Sequence, residues 1–195
     1  MRTAGSKRKT AETKIELELN LDGGEVRINS GNGFFDHMLT LFAHHGRLGL
    51  ILDCQGDIMV DFHHSCEDIG IVLGRALRQA LGEARGVNRY GWIILPMDEA
   101  LVLASVDISG RGLLGFKVEI PTERIGGFES ELVKEFWLAF SREAGLTLHL
   151  QLLSGENSHH IIEAVFKAAG RAIGMAAAID PAMAGAIPST KGILL

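Results

Sequence analysis

The stretch His63-His64-Ser65-Cys66-Glu67 reappears later in the chain as His159-His160-Ile161-Ile162-Glu163. In both copies a glutamate follows the second of two adjacent histidines by three positions, and the copies are separated by a constant 96 residues (159 − 63). A pattern that repeats at a fixed offset indicates a duplicated unit. Because histidine and glutamate are metal ligands, the duplication also predicts a metal centre.

Helical geometry favours two ions over one. His63 and Glu67 are four residues apart and His64 and Glu67 three apart, so each pair shares a helix face. Adjacent histidines diverge by about 100° around the axis and reach different ions. One such phrase alone is more often a solvated helix face than a metal site, but two in register, in a chain with 8 histidines, favour a dinuclear centre.

Composition excludes several classes of protein. The chain has 195 residues, 47% of them hydrophobic, which is enough to bury a substantial core. A net charge of −5 argues against non-specific nucleic-acid binding, so we interpret Lys7-Arg8-Lys9 as a solvated N-terminal arm. The two cysteines, Cys54 and Cys66, are too few for a disulfide framework and indicate a reducing compartment. Cys66 has no counterpart in the second phrase, so we do not count it as a ligand.

The chain shows neither a secretory signal nor a membrane span. Its N-terminus lacks an apolar segment, and the apolar stretch 164–179 is too short and is interrupted by Lys167 and Arg171. We therefore expect a cytoplasmic location.

Hydrophobic periodicity predicts a similar order of elements in both halves. In the first half we expect a strand over 14–21, a hairpin partner over 25–29, a helix over 34–45, strands over 48–54 and 57–62, and a helix over 63–85. In the second half we expect strands over 91–96, 100–109 and 114–120, a helix over 129–144, a strand over 146–153 and a helix over 158–179.

This order predicts an α+β fold. Each half would be a mainly antiparallel sheet with two helices on one face, and a pseudo-two-fold axis would relate the halves. We expect one domain over 1–195, made of repeats at about 12–86 and 90–180 and followed by a tail at 181–195.

His37 is a further candidate ligand, because it lies early in a predicted helix beside Asp36. Its counterpart in the second half falls near Glu135 (135 − 37 = 98), which could be a ligand or an ordinary surface residue. Imidazole and carboxylate donors without thiolate favour Mn, Fe, Co or Zn over Mg or Ca.

Basic side chains at glycine-rich turns suggest a phosphate site. Arg89 precedes Tyr90-Gly91, Arg111 lies between two glycines, and Lys191 follows Ser189-Thr190. Arginine and lysine beside backbone donors can bind phosphate, although each of these residues alone could be plain surface charge.

Several phrases together resemble the imidazoleglycerol-phosphate dehydratase family of histidine biosynthesis. They occur in family order from about Glu12 to the C-terminus, with no attached phosphatase domain, so the chain resembles the single-function form. The phrases are Gly33-Phe34-Phe35-Asp36-His37-Met38-Leu39, Asp61-Phe62-His63-His64-Ser65-Cys66-Glu67-Asp68, Pro96-Met97-Asp98-Glu99-Ala100, Thr147-Leu148-His149-Leu150, Gly155-Glu156-Asn157-Ser158-His159-His160-Ile161-Ile162-Glu163-Ala164 and Pro188-Ser189-Thr190-Lys191-Gly192.

The resemblance implies a duplicated α+β fold. Its half-domains would be similar to the second domain of a protein of the small ribosomal subunit. The resemblance also implies two Mn²⁺ ions per site. One ion would be bound by His63, Glu67 and His159, and the other by His37, His64, His160 and Glu163. Many relatives complete the first set with a histidine where this chain has Glu135, so Glu135 is a ligand only if a carboxylate replaces that imidazole.

The resemblance further implies dehydration of imidazoleglycerol phosphate to imidazoleacetol phosphate through an imidazolate that two metal ions stabilise. Glu12 would transfer a proton at the carbon, and Glu163 is a second candidate for proton handling. Asp98 would lie near the substrate, with Glu99 beside it. The phosphate would be bound by His45, Arg89, Arg111, Ser189 and Lys191. Family members assemble as 24-subunit shells of trimers, with sites between subunits.

Two other functions are also compatible with the sequence. A dinuclear metal hydrolase acting on a phosphorylated substrate would use similar ligands and basic residues, but it would release phosphate. A non-catalytic metal-storage assembly would need neither Glu12 nor a phosphate site. Ferritin-like centres use the order Glu-x-x-His on a four-helix bundle, which these strand-rich halves do not match.

Overall fold

The computed structural model describes residues 2–183 and 185–194. Every candidate site residue lies within these ranges, whereas Ala184 and Leu195 of the expected tail lie outside them. The strands are β1 (Thr3–Lys9), β2 (Thr13–Asn20), β3 (Val26–Asn29), β4 (Gly49–Gly56), β5 (Tyr90–Met97), β6 (Ala100–Asp107), β7 (Leu113–Lys117), β8 (Arg124–Ile125), β9 (Phe128–Glu129) and β10 (Thr147–Ser154). The helices are α1 (Gly33–Gly46), α2 (His63–Leu81), α3 (Leu132–Ala144) and α4 (Ser158–Ala177), and a 3₁₀ turn covers Pro181–Met183.

Two four-stranded sheets share one topology. Their orders are β1-β2-β4-β3 and β5-β6-β10-β7, and in each sheet two pairings are antiparallel and the last is parallel. The element order is strand-strand-strand-helix-strand-helix in both halves, with the short β8–β9 hairpin added to the second. This is the duplicated, mainly antiparallel α+β fold expected from the sequence.

The helices lie between the sheets. α1 and α2 contact the first sheet, α3 and α4 contact the second, and the halves meet through the pairs α2–α3 and α1–α4. One face of β2, with Ile15, Leu17 and Leu19, is buried towards this layer because alternate strand residues point to the same side. The rings of Phe35, Phe136 and Phe166 pack together at its centre, with centroids 5.2 Å (35–136) and 5.5 Å (136–166) apart.

Glycines allow both helix pairs to approach closely. A Cβ atom on Gly74 of α2 would lie 2.6 Å from the carbonyl oxygen of Phe140 in α3. At the equivalent place in the other pair, a Cβ on Gly170 of α4 would overlap the carbonyl oxygen of Phe42 in α1. The pseudo-two-fold symmetry therefore extends from the topology to individual helix contacts.

The N-terminal residues differ from the expectation. Lys7-Arg8-Lys9 is not a solvated arm but part of β1, which pairs with β2 along its whole length. Lys7 contacts Glu16 on the neighbouring strand at 3.0 Å, and Arg8 contacts Asp68 of α2 at 2.8 Å. Three consecutive positive residues suggest a solvated arm in sequence, and the partner of Arg8 lies 60 positions along the chain (68 − 8), where sequence alone does not reveal it.

Two strand predictions were wrong. Residues 25–29 do not form a hairpin with β2, because β3 instead pairs in parallel with β4. Residues 57–62 form a turn rather than a strand, and their apolar members Ile58, Met59 and Val60 are exposed. The predicted boundaries of α2 and α3 were also too wide, since α2 ends at Leu81 and α3 begins at Leu132.

Among the helices that the structure describes, none is long and apolar enough to cross a membrane.

Candidate metal and substrate site

Each histidine phrase begins a helix. In α4, the Asn157 side chain caps the end and accepts hydrogen bonds from the backbone N–H groups of His159 and His160. In α2, the Asp61 carboxylate accepts from the backbone N–H of His63 at 2.8 Å. Side-chain acceptors at a helix start satisfy N–H groups that have no partner within the helix. Both phrases are therefore placed on rigid first turns.

Three side chains of the predicted ligand sets meet within one chain. Glu163 Oε2 lies 3.4 Å from His37 Nε2 and 3.2 Å from His159 Nε2. The ligand atoms of these three residues are all within 4.8 Å of one another. The Phe34 ring packs edge-on against the His159 ring at 5.3 Å and limits its orientations. Two imidazoles facing one carboxylate oxygen form a donor set suited to a divalent transition metal.

Glu163 is buried but remains favoured as a carboxylate. Its burial raises the pKa, but a hydrogen bond and charge from Lys167, followed by the bonds to His37 and His159, outweigh that effect and leave the pKa lowered. Lys167 is one helical turn along α4 and its side chain is only 16% exposed. Lys167 was not predicted as a site residue, because in the sequence it stands out only as an interruption of an apolar stretch; its i,i+4 spacing from Glu163 is the signal that could have identified it.

His160 is held by the turn between β5 and β6. Its Nδ1 lies 2.7 Å from Glu99 Oε2, and its Nε2 lies 3.6 Å from Asp98 Oδ2. Glu99 Oε1 accepts from the backbone N–H of Asn157 at 2.8 Å. The bonds from His160 and from Asn157 lower the pKa of Glu99 to about 2, and the same contact with Glu99 raises the pKa of His160.

His64 has a similar arrangement in the first half. Its Nδ1 lies 3.0 Å from Asp57 Oδ2, and its Nε2 faces Glu12 Oε1 at 3.8 Å. The hydrogen bond with Asp57 is the main reason that the pKa of His64 is raised. Asp57 was missed as a site residue because residues 57–62 were predicted to be a strand. In both halves, then, a carboxylate orients the second histidine and leaves Nε2 to face the site.

His63, Glu67 and Glu135 lie on the α2–α3 side of the molecule. His63 Nε2 is 4.0 Å from Glu67 Oε2, and Arg142 of α3 reaches Glu67 Oε1 at 3.9 Å. Glu135 is in the first turn of α3. Burial raises the pKa of the Cys66 thiol well above its ordinary value, and the charges of Glu135 and Glu67 add to this effect. The carboxylates of Glu135 and Glu67 therefore both lie near the buried thiol of Cys66.

Neither ligand set implied by the resemblance is assembled within one chain. Over residues 2–183 and 185–194, the one group of three or more candidate ligands is His37, His159 and Glu163, which takes members from both sets. The structure does not bring His63, His64, Glu67 or His160 into such a group.

The candidate phosphate residues lie in separate places. Arg89 donates to Asp107 at 2.8 Å and to the carbonyl oxygen of Pro188 at 2.9 Å, so it connects β6 to the tail just before Ser189. The hydrogen bond to Asp107 raises the pKa of Arg89. In the tail, Ser189 Oγ accepts from the backbone N–H of Lys191.

Arg111 and His45 are elsewhere in the molecule. The side chain of Arg111 is exposed on the turn before β7, where its backbone N–H donates to Ser109 Oγ. His45 lines a cleft of about 540 Å³ together with Arg2, Arg47 and Arg171. Burial, followed by the charges of Lys167, His44 and Arg171, lowers the pKa of His45. The cleft is therefore basic, but it does not include the tail.

Comparisons with known proteins agree on one family. The family model for imidazoleglycerol-phosphate dehydratase matches residues 30–173. The chain is 55% identical to imidazoleglycerol-phosphate dehydratase of Heliobacterium modesticaldum over 195 residues, covering 100% of both proteins. It is 54% identical to that of Azorhizobium caulinodans, covering 100% of this chain and 99% of the relative.

Solved structures give the same result. The crystal structure of imidazoleglycerol-phosphate dehydratase from Staphylococcus aureus superposes with a TM-score of 0.84 at 41% identity, covering 91% of this chain and 99% of that one. The structure of IGPD from Pyrococcus furiosus superposes with a TM-score of 0.83 at 40% identity, covering 96% of this chain and 99% of that one.

Proposed function

The chain belongs to the imidazoleglycerol-phosphate dehydratase family, the hydro-lyases of histidine biosynthesis, and from this premise we propose how its residues perform the dehydration. The substrate is imidazoleglycerol phosphate and the product imidazoleacetol phosphate. We place the reaction at a dinuclear metal centre that contains residues of more than one subunit. The observation that carries this proposal is the cluster of His37, His159 and Glu163.

The donors present fit two divalent transition-metal ions such as Mn²⁺. They are imidazole nitrogens and carboxylate oxygens on rigid helix starts, and the second histidine of each phrase is oriented by a carboxylate. His63, Glu67, His159 and Glu135 would hold one ion, and His37, His64, His160 and Glu163 the other. When bound, such ions act as Lewis acids and as a template for the substrate's imidazole and hydroxyl groups.

Glu12 is the best-placed group to move the proton at the substrate carbon. Its side chain is 52% exposed and faces the site beside His64. Among the residues that the structure describes, no hydrogen bond occupies its carboxylate, so both oxygens are free to accept a proton. Glu163 is less suited, because its two oxygens already face Lys167, His37 and His159. We assign Glu163 to metal binding and Glu12 to proton transfer.

The phosphate residues support a site between subunits. Arg89 and the tail with Ser189 and Lys191 are joined within one chain, whereas His45 lies in a separate cleft. A single small phosphate could contact all of these residues only if neighbouring subunits contribute them. Asp98, in the turn beside His160, would face the substrate's hydroxyl groups.

An assembly of 24 subunits built from trimers would bring these parts together. The exposed turn Ile58-Met59-Val60 supports this, because it presents apolar side chains, Met59 being 95% exposed, and ends three positions before His63 of the first histidine phrase. Exposed apolar patches on soluble proteins commonly mark interfaces.

A product assay tests the proposed function. The protein is loaded with Mn²⁺, a second sample is treated with a chelator, and both receive imidazoleglycerol phosphate. We expect mass spectrometry to detect loss of one water, only in the loaded sample. Release of inorganic phosphate would instead indicate a hydrolase, and an unchanged substrate with metal-loaded protein would contradict the dehydratase.

A further inference from the structure

Three side chains hold the turn that carries Glu12. Thr10 Oγ1 accepts hydrogen bonds from the backbone N–H groups of Glu12, at 3.1 Å, and of Thr13, at 2.9 Å. The hydroxyls of Thr10 and Thr13 are 3.3 Å apart, and Thr13 Oγ1 donates to Asp68 Oδ2 at 2.5 Å. Thr13 and Asp68 are 3% and 7% exposed, so this network is shielded from water.

One arrangement of hydrogens satisfies every member of this network. A carboxylate only accepts, so the Thr13 hydroxyl must donate to Asp68. Thr13 then accepts from Thr10, which leaves the two lone pairs of Thr10 for the two backbone N–H groups. Each hydroxyl hydrogen and each of the two amide hydrogens has one partner, which fixes the turn more strongly than a single bond would.

Asp68 connects this turn to the helix that carries the first histidine phrase. It lies one turn after His64 in α2, and Arg8 of β1 contacts its other oxygen at 2.8 Å. On the far side, the carbonyl oxygen of Glu12 accepts from the backbone N–H of Asp57, the residue whose carboxylate orients His64. The main chain of Glu12 is therefore fixed on both sides, while its carboxylate remains free, 3.8 Å from His64 Nε2.

The second repeat shows the contrast. Glu99 occupies the equivalent place, immediately before the second strand of its sheet, since β2 starts at Thr13 and β6 starts at Ala100. Asp98 and Glu99 form the two-residue turn between β5 and β6, and Asp98 has a φ of 50°. The Glu99 carboxylate is itself bonded to His160 and Asn157, so it fixes its own position. Among residues 2–183 and 185–194, none forms such a hydrogen bond with the Glu12 carboxylate, so its position depends on the main chain that carries it.

We propose that Thr10, Thr13 and Asp68 are positioning residues for Glu12. By fixing its main chain relative to α2, they hold the free carboxylate at the distance from the site that proton transfer requires. This inference rests on the proposed function, in which Glu12 moves the proton. It assigns no contact with substrate to the three residues themselves.

Replacing Thr10 by valine tests the inference, because Thr10→Val keeps the shape and removes the hydroxyl. We expect kcat to fall about 10- to 100-fold, the range expected when a catalytic group is misplaced by about an ångström. KM and Mn²⁺ affinity, the latter measured by titration calorimetry, should stay within about twofold because no ligand or substrate contact is altered. Thr10→Ser, which keeps the hydroxyl, should recover most of kcat.

A double-mutant cycle with Glu12→Gln separates positioning from plain structural damage. If Thr10 acts through Glu12, Thr10→Val should cost less than about twofold once Glu12 is already replaced. An equal loss in both backgrounds would overturn the inference. Should Thr10→Val fail to assemble, Thr13→Val interrupts the same network and carries the same expectations.

The edge of the first sheet offers a matched control. Asn29 Nδ2 donates to Asp53 Oδ1 at 2.8 Å, an exposed bond between β3 and β4 that involves no residue assigned to the site, so Asn29→Ala should leave kcat unchanged. Wild type is measured in the same series. No dehydration by wild type would refute the proposed function itself, whereas an active wild type with a fully active Glu12→Gln would refute the role of Glu12 and the positioning inference with it.

Discussion

Glu163 shows at the residue scale how a buried carboxylate keeps its charge. Burial alone disfavours the ionised form, but Lys167 and two imidazoles surround it. One of its oxygens faces His37 and His159 together, in the arrangement that a bound cation would need. The same residue was a candidate for both metal binding and proton transfer in the sequence, and its surroundings favour the first role.

Removing a member of this cluster should weaken metal binding. We expect His159→Ala and Glu163→Gln each to lower Mn²⁺ affinity by about tenfold or more, since a lost ligand should cost at least as much as a lost outer partner. Calorimetric titration of the assembled protein measures this directly. His149→Gln, which alters an exposed histidine on the outer face of the second sheet, is the control and should bind Mn²⁺ as wild type does. Unchanged affinity in both cluster variants would exclude the cluster as a metal site.

At the scale of elements, the two helix pairs depend on glycines that have no space for a side chain. Gly74→Ala and Gly170→Ala would each force a methyl group into a backbone carbonyl of the facing helix. We expect each to lower the free energy of unfolding by about 1–3 kcal/mol, the usual cost of overpacking. Chemical denaturation measures the loss. Gly33→Ala at the start of α1, where nothing lies within 4 Å, should be neutral or slightly stabilising.

An ion pair between α2 and α3 should make stability depend on pH. Burial raises the pKa of Glu143, but the hydrogen bond and charge of Arg75, then those of Arg142, lower it below its ordinary value of 4.5. Because the folded pKa is depressed, the stabilisation is present above about pH 4.5 and is lost as the pH falls through the folded pKa.

Glu143→Gln should therefore destabilise the protein by about 0.5–1 kcal/mol at pH 7, and the difference from wild type should shrink as the pH falls below the ordinary pKa of a glutamate. Urea denaturation of both proteins at pH 7 and at a series of acid pH values measures it. Glu18→Gln, at an exposed position on β2, is the control and should show no such change. A difference that persists at acid pH would show that Glu143 acts through packing rather than charge.

At the scale of the whole molecule, the described part of one chain assembles only some of the proposed metal ligands. His37, His159 and Glu163 meet, but the residues of the first histidine phrase join no group of three ligands among the described residues. The phrases begin α2 and α4, and these helices pair with α3 and α1 rather than chiefly with each other. The dinuclear site proposed above would therefore need residues of a second copy.

Subunit mixing tests this requirement. We expect Glu67→Gln and Glu163→Gln to be inactive as separate proteins, but co-assembly should restore activity, because some sites then receive both native residues from different chains. If two neighbouring subunits of a cyclic assembly build each site, each of them is the required variant in about half of the cases. Random mixing of equal amounts should therefore restore about a quarter of the sites. Activity is measured after native mass spectrometry has verified mixed assemblies. Mixed assemblies without activity would show that both residues serve the same chain's site.

The sequence by itself determined the elements and the candidate chemistry. Local periodicity defined all four helices and most strands, because burial of one face requires a period of 3.6 or 2. The repeated phrase predicted the duplication, and the ligand types predicted which metals fit. These features depend on residues close together in the chain, which is why they were readable without a structure.

Tertiary structure alone decided which residues meet. The parallel pairing of β3 with β4, the place of Lys7-Arg8-Lys9 in a sheet edge, and the contact of Asp57 with His64 depend on how segments pack, not on local preference. The same holds for Glu12, whose turn is fixed by Asp68, 56 positions along the chain (68 − 12). Such contacts are determined by the free energy of the whole fold, because each partner gains a defined position only after distant segments have packed.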